Sequence, residues 1–195
     1  MPMSNQWVHS FQADNGLEVR VRQLCPDDVP CLLQIFEKMS PQSRYMRFNE
    51  PLTNPDPEWL LEQAYRLSDI PPDRGCGWLA FADLPGEENA CVGGIRCLRV
   101  SDELAEISLV VWDDLQGIGI GSNLLDYACR KAYTRGFKRV IGIVQSYNVQ
   151  LWHSLKRLGI PTTRQREGTM VLIEADLTGL GLDDAVEESE NGPLP

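Results

Sequence analysis

The sequence predicts a mixed α/β domain: a mostly antiparallel central sheet, helices on both faces, and one parallel strand-helix-strand unit. Three observations lead there. Apolar residues recur at helical spacing through much of the first third, alternate at strand spacing in the middle, and then mark strand, helix and strand towards the C-terminus. The 195 residues suit one domain with a sizeable core and are short for two.

The elements follow in order. Trp7 to Phe11, the turn Asn15-Gly16 and the alternating run Leu17 to Val21 predict a β-hairpin. Pro26 opens a helix whose apolar residues Val29, Leu32, Leu33 and Phe36 share one face. Ser40-Pro41 and Asp56-Pro57 start two more, the latter carrying Trp59, Leu60, Ala64 and Leu67. Trp78 to Ala82 reads as a strand. Cys91 to Val100 is a second, with a bulge at Gly93-Gly94, and Ala105 to Val111 a third. A helix is predicted from Gly119 to Arg135, then a strand over Arg139 to Val144, a helix over Val149 to Leu158, and a final strand over Thr169 to Ala175.

Hydrophobic residues make up 43% and charged residues 24%, as in globular proteins generally. No run approaches the roughly 18 apolar residues of a membrane span, and the N-terminus lacks the pattern of a secretory signal. A cytoplasmic location is the resulting expectation. The six cysteines form no C-x-x-C pair, and His9 and His153 add no zinc spacing, so free thiols and no metal are expected. A net charge of −10 argues against nucleic-acid or anionic-membrane partners. Six acidic and no basic residues lie between Asp176 and Pro195. Residues 1–177 therefore read as a single domain and 178–195 as a poorly ordered acidic tail.

The informative stretch runs from Leu109 through Val110, Val111 and Trp112 to Gln116-Gly117-Ile118-Gly119-Ile120-Gly121-Ser122. A strand enters a glycine-rich turn that opens a helix. The first helical turn has N–H groups without intrahelical partners, so the arrangement suits a pyrophosphate. The dinucleotide pattern G-x-G-x-x-G fails at Ser122, and the lysine of a P-loop is missing. Gln116-x-x-Gly119-x-Gly121 remains. The alternative is a helix start whose glycines serve packing alone.

These residues resemble the acetyl-CoA signature of the GNAT superfamily of N-acetyltransferases. Asn148, followed eleven residues later by Gly159 and Ile160, is similar to that family's N…GF element. The resemblance covers roughly Val19 to Ala175. Met39 to Phe48 is similar to the LSPESRYLRFF stretch of the Pat-like bacterial protein-lysine acetyltransferases, and Ala105 to Val111 to their A-E-F-A-V-x-V.

The resemblance implies a GNAT fold and acetyl-CoA as co-substrate. It assigns Leu109, Val110 and Val111 to the pantetheine arm, and Gln116, Gly117, Ile118, Gly119, Gly121 and Ser122 to the pyrophosphate. Asn148 lies near the thiol, and a strand N–H, that of Val110, is expected to stabilise the thioester oxyanion. Acetyl transfer to a primary amine needs a base, since a protonated amine is no nucleophile. Glu106 is the candidate. It shares a face with Ser108 and Val110, and burial among apolar neighbours is expected to raise its pKa. The alternative is a glutamate on a solvated sheet face. Many family members carry a tyrosine as general acid where this chain has Leu155, and Tyr147 is not equivalent.

His153, the tryptophans Trp59, Trp78, Trp112 and Trp152, and the pair Arg44 and Arg47 read more simply as packing or surface residues. The acceptor is a protein lysine by the upstream similarity, or a small amine or amino acid by the stand-alone domain. A non-catalytic acyl-CoA-binding module is the third reading. Monomer and homodimer both stay open.

Overall fold

The structure, a computed structural model, describes residues 6–146 and 148–180, without the side chains of Val149, Gln150, Trp152 and His153. β1 (Trp7–Gln12) and β2 (Glu18–Gln23) form the predicted hairpin, and Val19 and Val21 of β2 are fully buried. A short 3-10 turn at Pro26–Asp28 leads into α1 (Val29–Glu37).

α2 (Pro41–Phe48) and α3 (Pro57–Ser68) begin where Ser-Pro and Asp-Pro predict. The Ser40 hydroxyl accepts from the Ser43 N–H at 3.2 Å, and the Asp56 carboxylate accepts from the N–H groups of Glu58 and Trp59 at 2.9 and 3.0 Å. Proline at the first helical position sacrifices a donor that would have had no partner.

β3 (Gly75–Leu84), β4 (Glu87–Arg99) and β5 (Leu104–Val111) pair antiparallel. The bulge falls at Val92, beside the glycines predicted to carry it, since Ala80 pairs with Gly93 and Phe81 with Cys91. α4 (Ile120–Thr134), β6 (Arg139–Gln145) and α5 (Val149–Leu158) follow.

The chain then departs from the sequence reading. Two strands close the fold, β7 (Thr162–Glu167) and β8 (Met170–Asp176), where one was expected. β7 is the polar run Thr-Thr-Arg-Gln-Arg-Glu at the edge of the sheet. It has no apolar alternation because neither face is covered, and pairing with β8 alone holds it.

The sheet order is β1-β2-β3-β4-β5-β6-β8-β7, and only β5–β6 is parallel. α4 packs on one face, where Gly121 lies against Leu109 and Val111. α1 packs on the other, with Ile35 facing Gly94. Leu79, Ile95, Ile120 and Leu124 are fully buried between these layers. All six cysteines are free thiols, and Cys76, Cys91, Cys97 and Cys129 are buried.

Leu177 is fully buried and its N–H donates to the Lys138 carbonyl at 2.8 Å, while Leu180 packs against the core. Most of the expected tail, 181–195, lies outside the described residues. No helix among the described residues is long and apolar enough to cross a membrane.

Candidate active site

β5 and β6 pair at only three positions, Leu104–Arg139, Ala105–Val140 and Glu106–Ile141, and then part. A cleft of about 620 Å³ opens where they separate. Its lining includes Leu109 to Val111, the turn residues Gln116, Gly117, Gly119, Gly121 and Ser122, and Asn148. Glu106 and Ser108 line it as well. Ile118 is half-buried and packs against the core.

Register decides which backbone groups β5 offers to the cleft. The Trp112 N–H donates to Val92 O and the Val100 N–H to Leu104 O, both at 2.9 Å. Hydrogen-bonded pairs alternate along an antiparallel ladder, so Glu106, Ser108 and Val110 turn their backbone towards β4. A Cβ built on Gly93 would stand 2.7 Å from the Val110 oxygen, which fixes that direction independently. The expected oxyanion donor at Val110 is therefore committed to the sheet. Leu109 and Val111 present their backbone groups on the β6 side, past the last paired position at Glu106, and of these the Val111 carbonyl accepts from the Gln116 amide.

The turn after β5 has Gly117 at φ +79° and Gly119 at φ +89°. Both lie in the left-handed region that glycine enters without strain. The first helical N–H with a backbone partner is that of Asn123, which donates to Gly119 O at 3.1 Å. The N–H groups of Ile120, Gly121 and Ser122 thus open the helix without intrahelical acceptors. A diphosphate fits such a cradle on two counts, the free donors and the positive end of the helix.

Gln116 plays a different part from the one its place in the signature implies. Its amide donates to Val111 O at 3.0 Å and to the Asp113 carboxylate at 3.1 Å. Asp113 in turn accepts from Ser40 N–H and Ser43 Oγ at the start of α2. One glutamine ties the end of β5 to the turn, and one aspartate ties the turn to α2.

Sequence reasoning missed Asp14 and Arg157. The Asp14 N–H donates to Ile118 O at 2.8 Å, so the β1–β2 turn docks on the glycine-rich turn. The Asp14 carboxylate would touch a Cβ on Gly119 and accepts two hydrogen bonds from Arg157 at 3.0 and 3.1 Å. Arg157 offsets a negative charge that would oppose a phosphate there. Such a pair, 143 residues apart, left no trace in local pattern.

Asn148 caps α5, its Oδ1 accepting from the Leu151 N–H at 3.1 Å, and it lines the cleft. The Ser122 hydroxyl donates to Ser154 at 3.0 Å and joins α4 to α5. Leu155, at the expected tyrosine position, is buried and lines the cleft with an apolar side chain. Tyr147 and the side chains of His153 and Trp152 lie outside the described residues. Trp78 and Trp112 are buried in the core.

Glu106, Ser108 and Val110 share the sheet face on the α2 side. Glu106 is exposed there, contrary to the burial expected, because the cleft leaves that part of β5 uncovered. Arg47 of α2 reaches over and donates from Nη2 to Ser108 Oγ at 3.2 Å. Burial pulls the Arg47 pKa down and the charge of Glu106 opposes it. Arg96 stands opposite Ser108 on β4. Burial and the neighbouring charge of Arg47 bring Arg96 down to about 10, with Glu106 again opposing. Arg44, the other arginine noted on α2, turns away to the carbonyls of Leu52 and Thr53 and lies over Phe36.

Comparisons with known proteins agree with this geometry. The family model described as Acetyltransferase (GNAT) family matches residues 37–160. The Pseudomonas aeruginosa protein named Acetyltransferase PA5475 is 28% identical over 145 residues, 74% of each chain. The GNAT domain of S. lividans PAT has the same fold, with a TM-score of 0.73 over 86% of this chain and 96% of that one, at 24% identity. A cAMP-binding acyltransferase from Mycobacterium smegmatis gives a TM-score of 0.58 at 24% identity, over 93% of this chain and 50% of that longer one. The matched segment runs from the end of α1 to Ile160, two residues before β7, and contains the parted strands and the glycine-rich turn, and the chain belongs to the GNAT acetyltransferase family.

Proposed function

We propose that this protein is an acetyl-CoA-dependent N-acetyltransferase that acts on a primary amine by direct attack in a ternary complex. One observation carries the reading. β5 parts from β6 so that its free backbone edge, the glycine-rich turn and Glu106 all line one cleft.

When bound, acetyl-CoA supplies the acyl group already activated as a thioester. The N–H groups of Gly117 to Ser122 would hold its pyrophosphate, and Gln116 fixes the turn from behind. The N–H and C=O of Leu109 and the N–H of Val111 would pair with the pantetheine arm, the Val111 carbonyl being held by Gln116. One of these N–H groups takes the oxyanion role first expected of Val110. Val110 and Asn148 contribute to the cofactor side as lining residues. Glu106 would accept the proton of the incoming ammonium at its carboxylate, leaving the amine free to attack. Leu155 offers no proton to the leaving thiolate, which is a modest base and departs without one.

Of the acceptor classes, the similarity of Met39 to Phe48 to the Pat-like stretch favours a protein lysine over a small amine. The test is thiol release from acetyl-CoA with a panel of amines and lysine peptides. Release that depends on an added amine supports the reading. Tight acetyl-CoA binding with no release on any acceptor would support a non-catalytic acyl-CoA-binding module instead.

A further inference from the structure

Of the described residues that line the cleft, Arg47 and Arg157 are the cations. Arg47 sits at the acceptor end, bonded to Ser108 beside Glu106. Arg157 sits at the other end, by the glycine-rich turn. It belongs to the last turn of α5, three residues after Ser154, so the two share a helix face. Ser154 meets the Ser122 hydroxyl across the gap to α4, and the Ser122 N–H is one of the free donors of that helix start. Asp14 fixes the guanidinium from the opposite side. Its carboxylate accepts from Arg157 at 3.0 and 3.1 Å and would stand 2.9 Å from a Cβ on Gly119. Two separate anchors thus hold the Arg157 head group beside the N–H groups that open α4.

A carboxylate beside an anion cradle repels the ligand unless it serves another purpose. Here it aims a cation. The Asp14 N–H donates to Ile118 O at 2.8 Å, so the carboxylate that orients Arg157 is fastened to the turn itself. Arg157 spends one N–H of Nη1 and one of Nη2 on Asp14. A guanidinium carries five N–H donors, so more than half stay available. The side chains of Arg157 and Asp14 are 54% and 50% exposed. An ion pair so open to water is worth little, and the head group can lean towards a second anion at small cost. A planar, permanently charged fork is matched to phosphate oxygens.

We infer that Arg157 donates directly to a phosphate of the acyl-CoA, and that Asp14 is the positioning residue that aims it. The inference rests on the acyl-CoA reading of the cleft. Two groups of CoA share this chemistry, the diphosphate and the ribose phosphate.

The competing account is that Arg157 does no more than cancel the charge of Asp14. A double-mutant cycle separates the two. CoA is titrated calorimetrically into the wild type, Arg157→Gln, Asp14→Asn and the double variant, all of which should fold because both side chains are half exposed. Arg157→Gln should weaken binding about tenfold or more, since it removes a charge-assisted bond and uncovers Asp14. The double variant should stay about fivefold or more weaker than Asp14→Asn, since the phosphate has still lost its partner. Dephospho-CoA, which lacks the ribose phosphate, identifies the group. A loss in Arg157→Gln seen with CoA alone assigns Arg157 to the ribose phosphate. An equal loss with both ligands assigns it to the diphosphate.

A double variant that binds CoA as tightly as Asp14→Asn overturns the inference, and so does wild-type affinity in Arg157→Gln. Either result leaves the transferase reading intact. Affinity lost in Arg157→Gln, in a protein with no turnover on any amine, keeps the phosphate contact and removes the transferase. Wild-type protein that binds no CoA removes both.

Discussion

Gln116 donates from its side-chain amide to the Val111 carbonyl at 3.0 Å. This bond joins the last residue of β5 to the glycine-rich turn. The glutamine therefore shapes the turn from outside and leaves the backbone N–H groups clear for a ligand.

Gln116→Ala should loosen the turn by removing the two side-chain hydrogen bonds that brace it. Losing a hydrogen bond worth about 1 kcal/mol corresponds to roughly a fivefold weakening of acetyl-CoA binding. Calorimetry checks this. Unchanged affinity would show that Gln116 has no part in holding the site.

Gly119 should tolerate far less change than Gly117. Both have positive φ, but a Cβ on Gly119 would lie 2.9 Å from an Asp14 carboxylate oxygen, whereas one on Gly117 meets nothing within 4 Å. Gly119→Asp adds strain, a clash and a negative charge, and should abolish measurable acetyl-CoA binding. Gly117→Ala should cost about 1 kcal/mol of backbone strain and keep some binding. Equal affinities for the two variants would contradict this account of the turn.

Much of the fold was legible in the sequence because its cues are local. Ser40-Pro41 and Asp56-Pro57 mark two helix starts, Asn15-Gly16 a hairpin, and Gln116 to Gly121 the turn at the site. β7 was not legible, because an exposed edge strand such as Thr162–Glu167 has no buried face to impose alternation. The site was read only in part. Glu106 could be placed on a face with Ser108 by alternation, but its exposure depends on where β6 departs. The role of Val110 depends on ladder phase, which no residue type encodes. Asp14, Arg157 and Arg96 come from other parts of the chain, and only the fold brings them near the cleft.

The Arg22–Asp28 pair should govern acid stability. Arg22 makes two hydrogen bonds to Asp28, at 2.6 and 2.8 Å, and both side chains are buried. Burial pushes the Asp28 carboxyl up, but Arg22 and the Cys25 N–H outweigh it and hold the pKa below the ordinary range. A depressed folded pKa contributes stability that is present above the unfolded value, near pH 4, and lost as pH falls through the folded value. Asp28→Asn should flatten that acid loss and leave Arg22 buried without its counter-ion, at a cost of about 3–5 kcal/mol at pH 7. Urea unfolding of both proteins between pH 2 and 7 checks this, and parallel curves would contradict it.

The C-terminal boundary of the folded unit should lie between Leu177 and the residues after Leu180. Ending the chain after Leu180 is expected to leave the melting temperature nearly unchanged, given the acidic composition that follows. Leu177→Ala removes a fully buried side chain and should cost about 2–5 kcal/mol. A large loss from the truncation alone would show that the domain extends further.

Glu106→Gln, assayed with the accepted amine, tests the central claim most directly. The substitution keeps the size of the side chain and removes its basic carboxylate. Acetyl-CoA affinity should barely change, because the proposed cofactor contacts lie along Leu109 to Val111 and the glycine-rich turn. Turnover should fall by about 10²–10⁴, the scale of general base catalysis, and partly recover at high pH, where the free amine needs no base. Full turnover in the variant would place the base elsewhere, and lost acetyl-CoA binding would make Glu106 a structural residue.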